Sequence, residues 1–245
     1  MSANRELIEH LGVHLTEHKR ERIRAVLAER TRHLTVLLED VNQPHNASAC
    51  LRSCDCFGIQ DVHVIERRHP FQPEIDVAMG SNKWLSIHRY HRPESALETL
   101  RARGYSLVAT SPRADGDTPA TLPLDRPVAL LFGSEHKGLS DPILEAADGS
   151  LRLPTYGFTE SLNLSVALAL ALSRLVERLR ETELDWRLGE AERAELTLAF
   201  YRRQIARHDL LEEAFWEGRS DPEHPTEEIL DDAAATLISR PPRPY

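Results

Sequence analysis

The chain has 245 residues, 28% of them charged, and a formal net charge of −9, which suits one sizeable α/β core with extensions or two small domains. That balance excludes disorder throughout and argues against indiscriminate nucleic-acid binding. No apolar run reaches the roughly 18 to 20 residues of a membrane-spanning helix, and the start MSANRELIEHLG lacks the apolar stretch of a signal peptide, so a cytoplasmic protein with no membrane association is expected.

Residues 5–32 contain no Pro and no Gly after Gly12, and Ile23, Val26, Leu27 and Leu34 recur at helical spacing between charges. One or two helices are expected over this arm. Lys and Arg outnumber Asp and Glu by 7 to 5 within residues 1–33, whereas 34–182 carry 15 against 19 and 183–245 carry 8 against 15. The acidity therefore sits mainly in the last third, and a local basic surface near the start is possible.

From residue 34 the pattern changes to short β-branched or apolar runs at 34–41, 61–66, 84–90, 105–111, 127–133 and 150–154, with candidate helices between them at 47–57, 94–103 and 139–147. Short buried strands alternating with helices predict a mostly parallel sheet covered on both faces. Ligands of such sheets bind beyond the carboxyl ends of the strands, which directs attention to the loops after Thr110, Phe132 and Leu153. An alanine- and leucine-rich helix is expected from about Ser161 to Glu181, then further helix, then a proline-containing tail whose last six residues fray.

Cys50, Cys54 and Cys56 form a C-x3-C-x-C run with no matching cluster elsewhere. Neither a disulfide framework nor a metal site follows, and Cys50 and Cys54, four apart on a helix, read as small buried residues. No metal is expected.

Three stretches could carry chemistry. LLFGSEHKGLSDPIL (130–144) places Glu135 between Gly133 and Gly138 after a strand; the G-x4-G spacing suggests a phosphate loop, but Leu139 and Ser140 follow where Lys and Ser/Thr are required. In EDVNQPHNASACLRSCDCFGI (39–59), Asn46 reads as a helix N-cap and Arg52 stands on a mainly small and apolar helix. That arginine could pair with a carboxylate, project into water, or offer its planar fork to a phosphate or ribose oxygen. In PTYGFTESLNLSVALAL (154–170), Ser161, Asn163 and Ser165 bracket a helix start beside apolar Leu162, Leu164, Val166 and Leu168. Capping needs one polar residue; three leave both a cap and a pocket entrance open.

In this order the three stretches resemble the sequence motifs of the SPOUT superfamily, specifically its SpoU or TrmH branch of RNA 2'-O-ribose methyltransferases. The resemblance covers about residues 34–175, includes AMGSNKWLSI (78–87), and departs mildly at Leu164 and Thr155. It implies a C-terminal deep trefoil knot within the α/β fold, between a helical N-terminal RNA-binding arm (1–33) and a helical C-terminal extension (183–245), with the knotted domain at 34–182. It also implies bound S-adenosylmethionine contacting Thr110, Gly133, Leu153 and Leu162, a homodimer with the site completed near the subunit interface, and Arg52 as the central catalytic residue, oriented with the ribose by Asn46, Glu135, Ser161 and Asn163. Freeing a proton from a guanidinium at pH 7 costs on the order of 7 kcal/mol, so holding phosphate and 2'-oxygen in attack geometry is the cheaper role.

A helical arm before the domain and an extension after it resemble the layout of the enzymes that methylate guanosine-18 of tRNA. Lys19, Arg20, Arg22 and Arg24 on the arm, with Arg174 and Arg178 near the site, are then candidates for phosphate contacts, although each could equally belong to a solvated, paired helix face. An rRNA 2'-O-methyltransferase and a knotted RNA-binding module without catalysis are the competing readings.

Overall fold

The computed structural model describes residues 3–112 and 115–217. The proline-containing tail and its six final residues lie outside the described residues. Two compact units are present, one formed by the chain before Ala25 and after Arg193, the other by Ala25–Arg193.

In the smaller unit, α1 (Ala3–Gly12) packs against α9 (His208–Glu217), accompanied by the first turns of α2 (Glu17–Ala28) and most of α8 (Glu190–Gln204). Leu7, Leu11, Phe200 and Leu211 are buried. Arg202 donates two hydrogen bonds of 2.7 Å to the Glu212 carboxylate, a bidentate pair tying α8 to α9. Parts of the expected arm and extension thus share one unit, while residues 25–33 and 183–193 belong to the other.

The larger unit is a six-stranded, all-parallel sheet: β1 (Leu34–Glu39), β2 (Asp61–Ile65), β3 (Ser86–Tyr90), β4 (Ser106–Thr110), β5 (Val128–Phe132) and β6 (Gly149–Leu151), in spatial order β3-β2-β1-β5-β4-β6. Every residue of β1, β2 and β5 is buried, as expected of central strands covered on both faces. The period of two sorts them. Leu34, Val36 and Leu38 join a core with α3 (Pro44–Cys56) and α7 (Leu164–Arg180), whereas Leu37 faces α5 (Pro93–Ala102) and α6 (Asp141–Ala146). Cys50 and Cys54 are buried in the first core, where burial pushes the Cys50 thiol up to about 12. A one-turn α4 (Ile75–Ala78) and a 3-10 turn (Ser81–Lys83) complete the connections.

Two helix starts differ from expectation. Pro44 occupies the first turn of α3 and Gln43 is its N-cap, so Asn46 is not a cap but a buried residue inside the helix; proline's fixed φ and missing N–H suit that first turn. Helix α7 begins at Leu164 rather than Ser161, because Asn163 holds extended backbone (φ −54°, ψ 142°) and its side chain caps the N–H groups of Ser165 and Val166.

Candidate functional site

Because all six strands run parallel, their carboxyl ends share one edge, and a cavity of about 590 Å3 opens there. Its wall is drawn from all three stretches singled out in the sequence. Thr110 and Gly133 stand at or just beyond the ends of β4 and β5, Leu153 lies beyond β6, and Leu162 precedes α7. Asn46, Glu135, Ser161 and Asn163 line it too. The sequence reading missed Gln43, Phe132, Leu151 and Ala167, also on the wall; their signal was position, at a helix cap, at strand ends and one turn into α7.

The turn after β5 sets the position of the carboxylate. Ser134 and Gly138 exchange backbone hydrogen bonds of 3.1 and 2.9 Å, and Gly138 takes a φ of +68° that suits glycine. A Cβ on Gly133 would lie 2.0 Å from the Gly138 carbonyl carbon and 2.1 Å from the Leu139 nitrogen. Backbone has nowhere to yield, so this position demands glycine. The closed turn projects Glu135 toward the start of α3.

There the three stretches meet in one chain of hydrogen bonds. Asn163 Oδ1 accepts from the Ser165 N–H at 2.9 Å and from its hydroxyl at 2.7 Å, which leaves the Asn163 amide nitrogen to donate to Asn46 Oδ1 at 3.1 Å. The Asn46 amide nitrogen in turn donates to Glu135 Oε1 at 2.8 Å. A backbone N–H can only donate and an ionised carboxylate can only accept, so both ends fix the orientation of both amides. Glu135 Oε2 accepts from the Asn42 N–H at 3.3 Å. Partial burial alone would raise the Glu135 carboxyl, but the bonds from Asn46 and from nearby backbone N–H groups outweigh it and hold the group below the ordinary carboxylate range. Glu135 is therefore an ionised acceptor on the cavity wall near neutral pH.

Not every expected group joins this assembly. Arg52 is exposed on α3, outside the cavity wall, and its side chain has no hydrogen bond or ion pair to any described residue. Six positions turn a helix by about 240° beyond a full turn, so Arg52 points roughly 120° away from Asn46. Arg178 donates to the carbonyls of Pro119 and Leu122 at 2.7 and 3.0 Å, so its guanidinium ties down the loop before β5. Arg174 is exposed and pairs with Glu177 at 3.1 Å. In the smaller unit Arg20 pairs with Glu17, Lys19 is half-buried, and Arg22 and Arg24 are exposed.

A second polar group lies within the sheet. Asp61 and His63 of β2 and His88 of β3 bring side-chain ligand atoms within 4.8 Å of one another. Arg32 and Arg103 each approach Asp61 Oδ2 to 3.2 Å, so two guanidiniums already compete with any cation for that carboxylate.

Fold and site together define an α/β protein with a cavity at the carboxyl edge of a parallel sheet, the edge where such sheets bind ligands, and with a carboxylate and two amides fixed at its wall. The chain belongs to the SpoU rRNA Methylase family, whose model matches residues 33–173. A tRNA (guanosine(18)-2'-O)-methyltransferase of Borreliella burgdorferi is 38% identical over 210 residues, 84% of this chain and 96% of its own. That of Thermus thermophilus is 38% identical over 157 residues, 64% of this chain and 81% of its own. Among solved structures, an Aquifex aeolicus TrmH/SpoU tRNA-modifying enzyme superposes with a TM-score of 0.71 at 28% identity, covering 78% of this chain and 98% of that one. An AdoMet-bound rRNA methyltransferase of Sinorhizobium meliloti superposes at 0.56 and 28% identity, covering 64% and 60%.

Proposed function

We propose that this chain uses S-adenosylmethionine to methylate a ribose 2'-hydroxyl of tRNA, that of guanosine-18 in the D-loop, in the cytoplasm. The observation that carries the reading is the chain Glu135–Asn46–Asn163 at the cavity wall, in a family member 38% identical to enzymes so named. The cavity volume falls within the roughly 300–1,000 Å3 of small-molecule sites. Its strand-end backbone groups and the apolar Phe132, Leu151, Leu153 and Leu162 suit an adenosine with a short polar tail. When bound, the cofactor supplies an electrophilic methyl group on a sulfonium.

The protein's own task is to place and polarise a poor nucleophile. Glu135 offers a carboxylate oxygen for the ribose hydroxyl, and Asn46 and Asn163 keep that carboxylate from swinging away. The N-terminus of α7 anchors the far end of the chain, and Ser161 presents its hydroxyl on the same wall. Arg52 holds phosphate and 2'-oxygen. Since it faces away from the cavity of its own chain, the complete site is formed by two copies, consistent with the exposed aliphatic stripe of Leu162, Val166 and Leu170 (38, 46 and 48% exposed).

We infer a trefoil knot from the loop after β4. Ser111 and Asp117 are both bonded to the β6 segment, with the Ser111 N–H donating to Leu151 O, the Asp117 N–H to Ser150 O and the Arg152 N–H to Asp117 O. Arg178 of α7 binds the same loop at Pro119 and Leu122, which supports a threaded path for the chain that follows β6.

Methyl-labelled S-adenosylmethionine incubated with unmodified tRNA and with rRNA tests the function. An alkali-resistant linkage at guanosine-18 is expected; label on rRNA alone would overturn the tRNA reading.

A further inference from the structure

Aromatic rings in this protein are mostly covered. Among the described residues only Tyr156, Phe158 and Trp216 stand out as exposed aromatics, and the first two, at 96 and 108% exposure, are separated by one glycine. Neither ring stacks on another ring or on a cation among the described residues. Their loop is the rim of the cavity, since Leu153 and Thr155 before them and Glu160, Ser161 and Leu162 after them all line it.

We propose that Tyr156 and Phe158 form a stacking platform at the cavity mouth, holding the base of the nucleotide being methylated and the base beside it. This rests on the RNA methyltransferase reading above. A ribose hydroxyl inside a folded RNA reaches an enclosed site only when its nucleotide is splayed out of the stack, and aromatic side chains are the usual support for bases so released. The neighbouring exposed residues differ in chemistry. Leu162, Val166 and Leu170 recur every four positions from the edge of α7, an aliphatic stripe suited to a second copy of the chain. Tyr156 and Phe158 leave that stripe and offer flat faces beside the site, where any base can stack whatever its sequence.

Leucine is the discriminating substitution, because it keeps an apolar side chain while removing the π face. Tyr156→Leu and Phe158→Leu should each raise KM for an unmodified tRNA transcript about tenfold, and the pair about a hundredfold. Tyr156→Phe and Phe158→Tyr should stay within about twofold of the parent on the same basis. S-adenosylmethionine affinity by calorimetry and the sedimentation coefficient should not change. A double leucine variant with parental KM overturns the proposal, as does a rise in KM accompanied by altered sedimentation, which would give the rings to a subunit interface. Equilibrium binding of the transcript, measured without methyl donor, separates the two readings: parental protein that binds tRNA without methylating it contradicts the proposed function, while loss of that binding in the leucine variants still supports the platform.

Discussion

Two polar clusters sit on one sheet and differ in almost every physical respect. The Glu135–Asn46–Asn163 chain lies on loops and helix starts at the carboxyl edge, opens into a cavity, and has donors and acceptors paired in one consistent direction. The Asp61–His63–His88 group lies inside strands, on the face covered by α5, with His63 and His88 in register and stacked 4.7 Å apart. Asp61 Oδ1 and His63 Nε2 have no hydrogen-bond partner among the described residues. A saturated polar chain at a cavity is preorganised for a ligand, whereas buried Asp61 and His63 atoms left unpaired cost stability. Titratable side chains alone do not mark a site; access and pairing separate these two.

The largest effect should come from Asn46→Asp. It sets a second carboxylate against Glu135 at the present 2.8 Å contact and removes the donor, so methyl transfer should fall by about a hundredfold or more, read as single-turnover rate at saturating cofactor. Gly133→Ala should come next. Its Cβ meets backbone at 2.0 Å, so the turn must open, lowering stability by about 1–3 kcal/mol in denaturant titration and weakening cofactor binding in calorimetry.

The second cluster should govern acid stability instead. Burial, with the nearby His88, depresses His63 to about 3 from an ordinary 6.5. Between those values the unfolded chain binds the proton and the folded chain does not, so stability falls as pH drops below about 6.5, by up to about 1.4 kcal/mol per unit. His63→Phe should remove this slope between pH 6.5 and 4.5 in denaturant titrations; an unchanged slope would show that His63 is not its source. The smallest effect concerns Glu135, whose depressed pKa places its protonation below 4.5. It should add no acid limb to the pH–rate profile between pH 5 and 8.

Much of this was legible in the sequence because it depends on local pattern. Five of the six apolar runs contain a strand and the sixth overlaps the end of β6, and the three polar stretches converge at the edge where parallel sheets bind ligands. What was not legible depends on partners distant in the chain. Asn46 looked like a cap because its true partners are 89 and 117 residues away, and Pro44 had already taken the helix start to Gln43. Asn163 both caps a helix and lines the cavity, since its oxygen serves α7 while its nitrogen serves Asn46. Arg178 read as a candidate for phosphate contact because the carbonyls of Pro119 and Leu122 that it binds leave no sequence signal. The run DVHVIE read as an ordinary strand, and only the parallel register revealed that His63 faces His88.

The most direct test compares the two clusters in one assay: single-turnover methylation of an unmodified tRNA transcript by the parent, Asn46→Asp and His63→Phe proteins at neutral pH, with the product mapped by alkaline hydrolysis. Methylation of the guanosine-18 ribose by the parent, its loss by about a hundredfold in Asn46→Asp and its retention in His63→Phe are predicted. Equal rates in the parent and Asn46→Asp proteins, or methyl groups found on a base rather than a ribose, would contradict the assignment of the carboxyl-edge cluster as the methyl-transfer site.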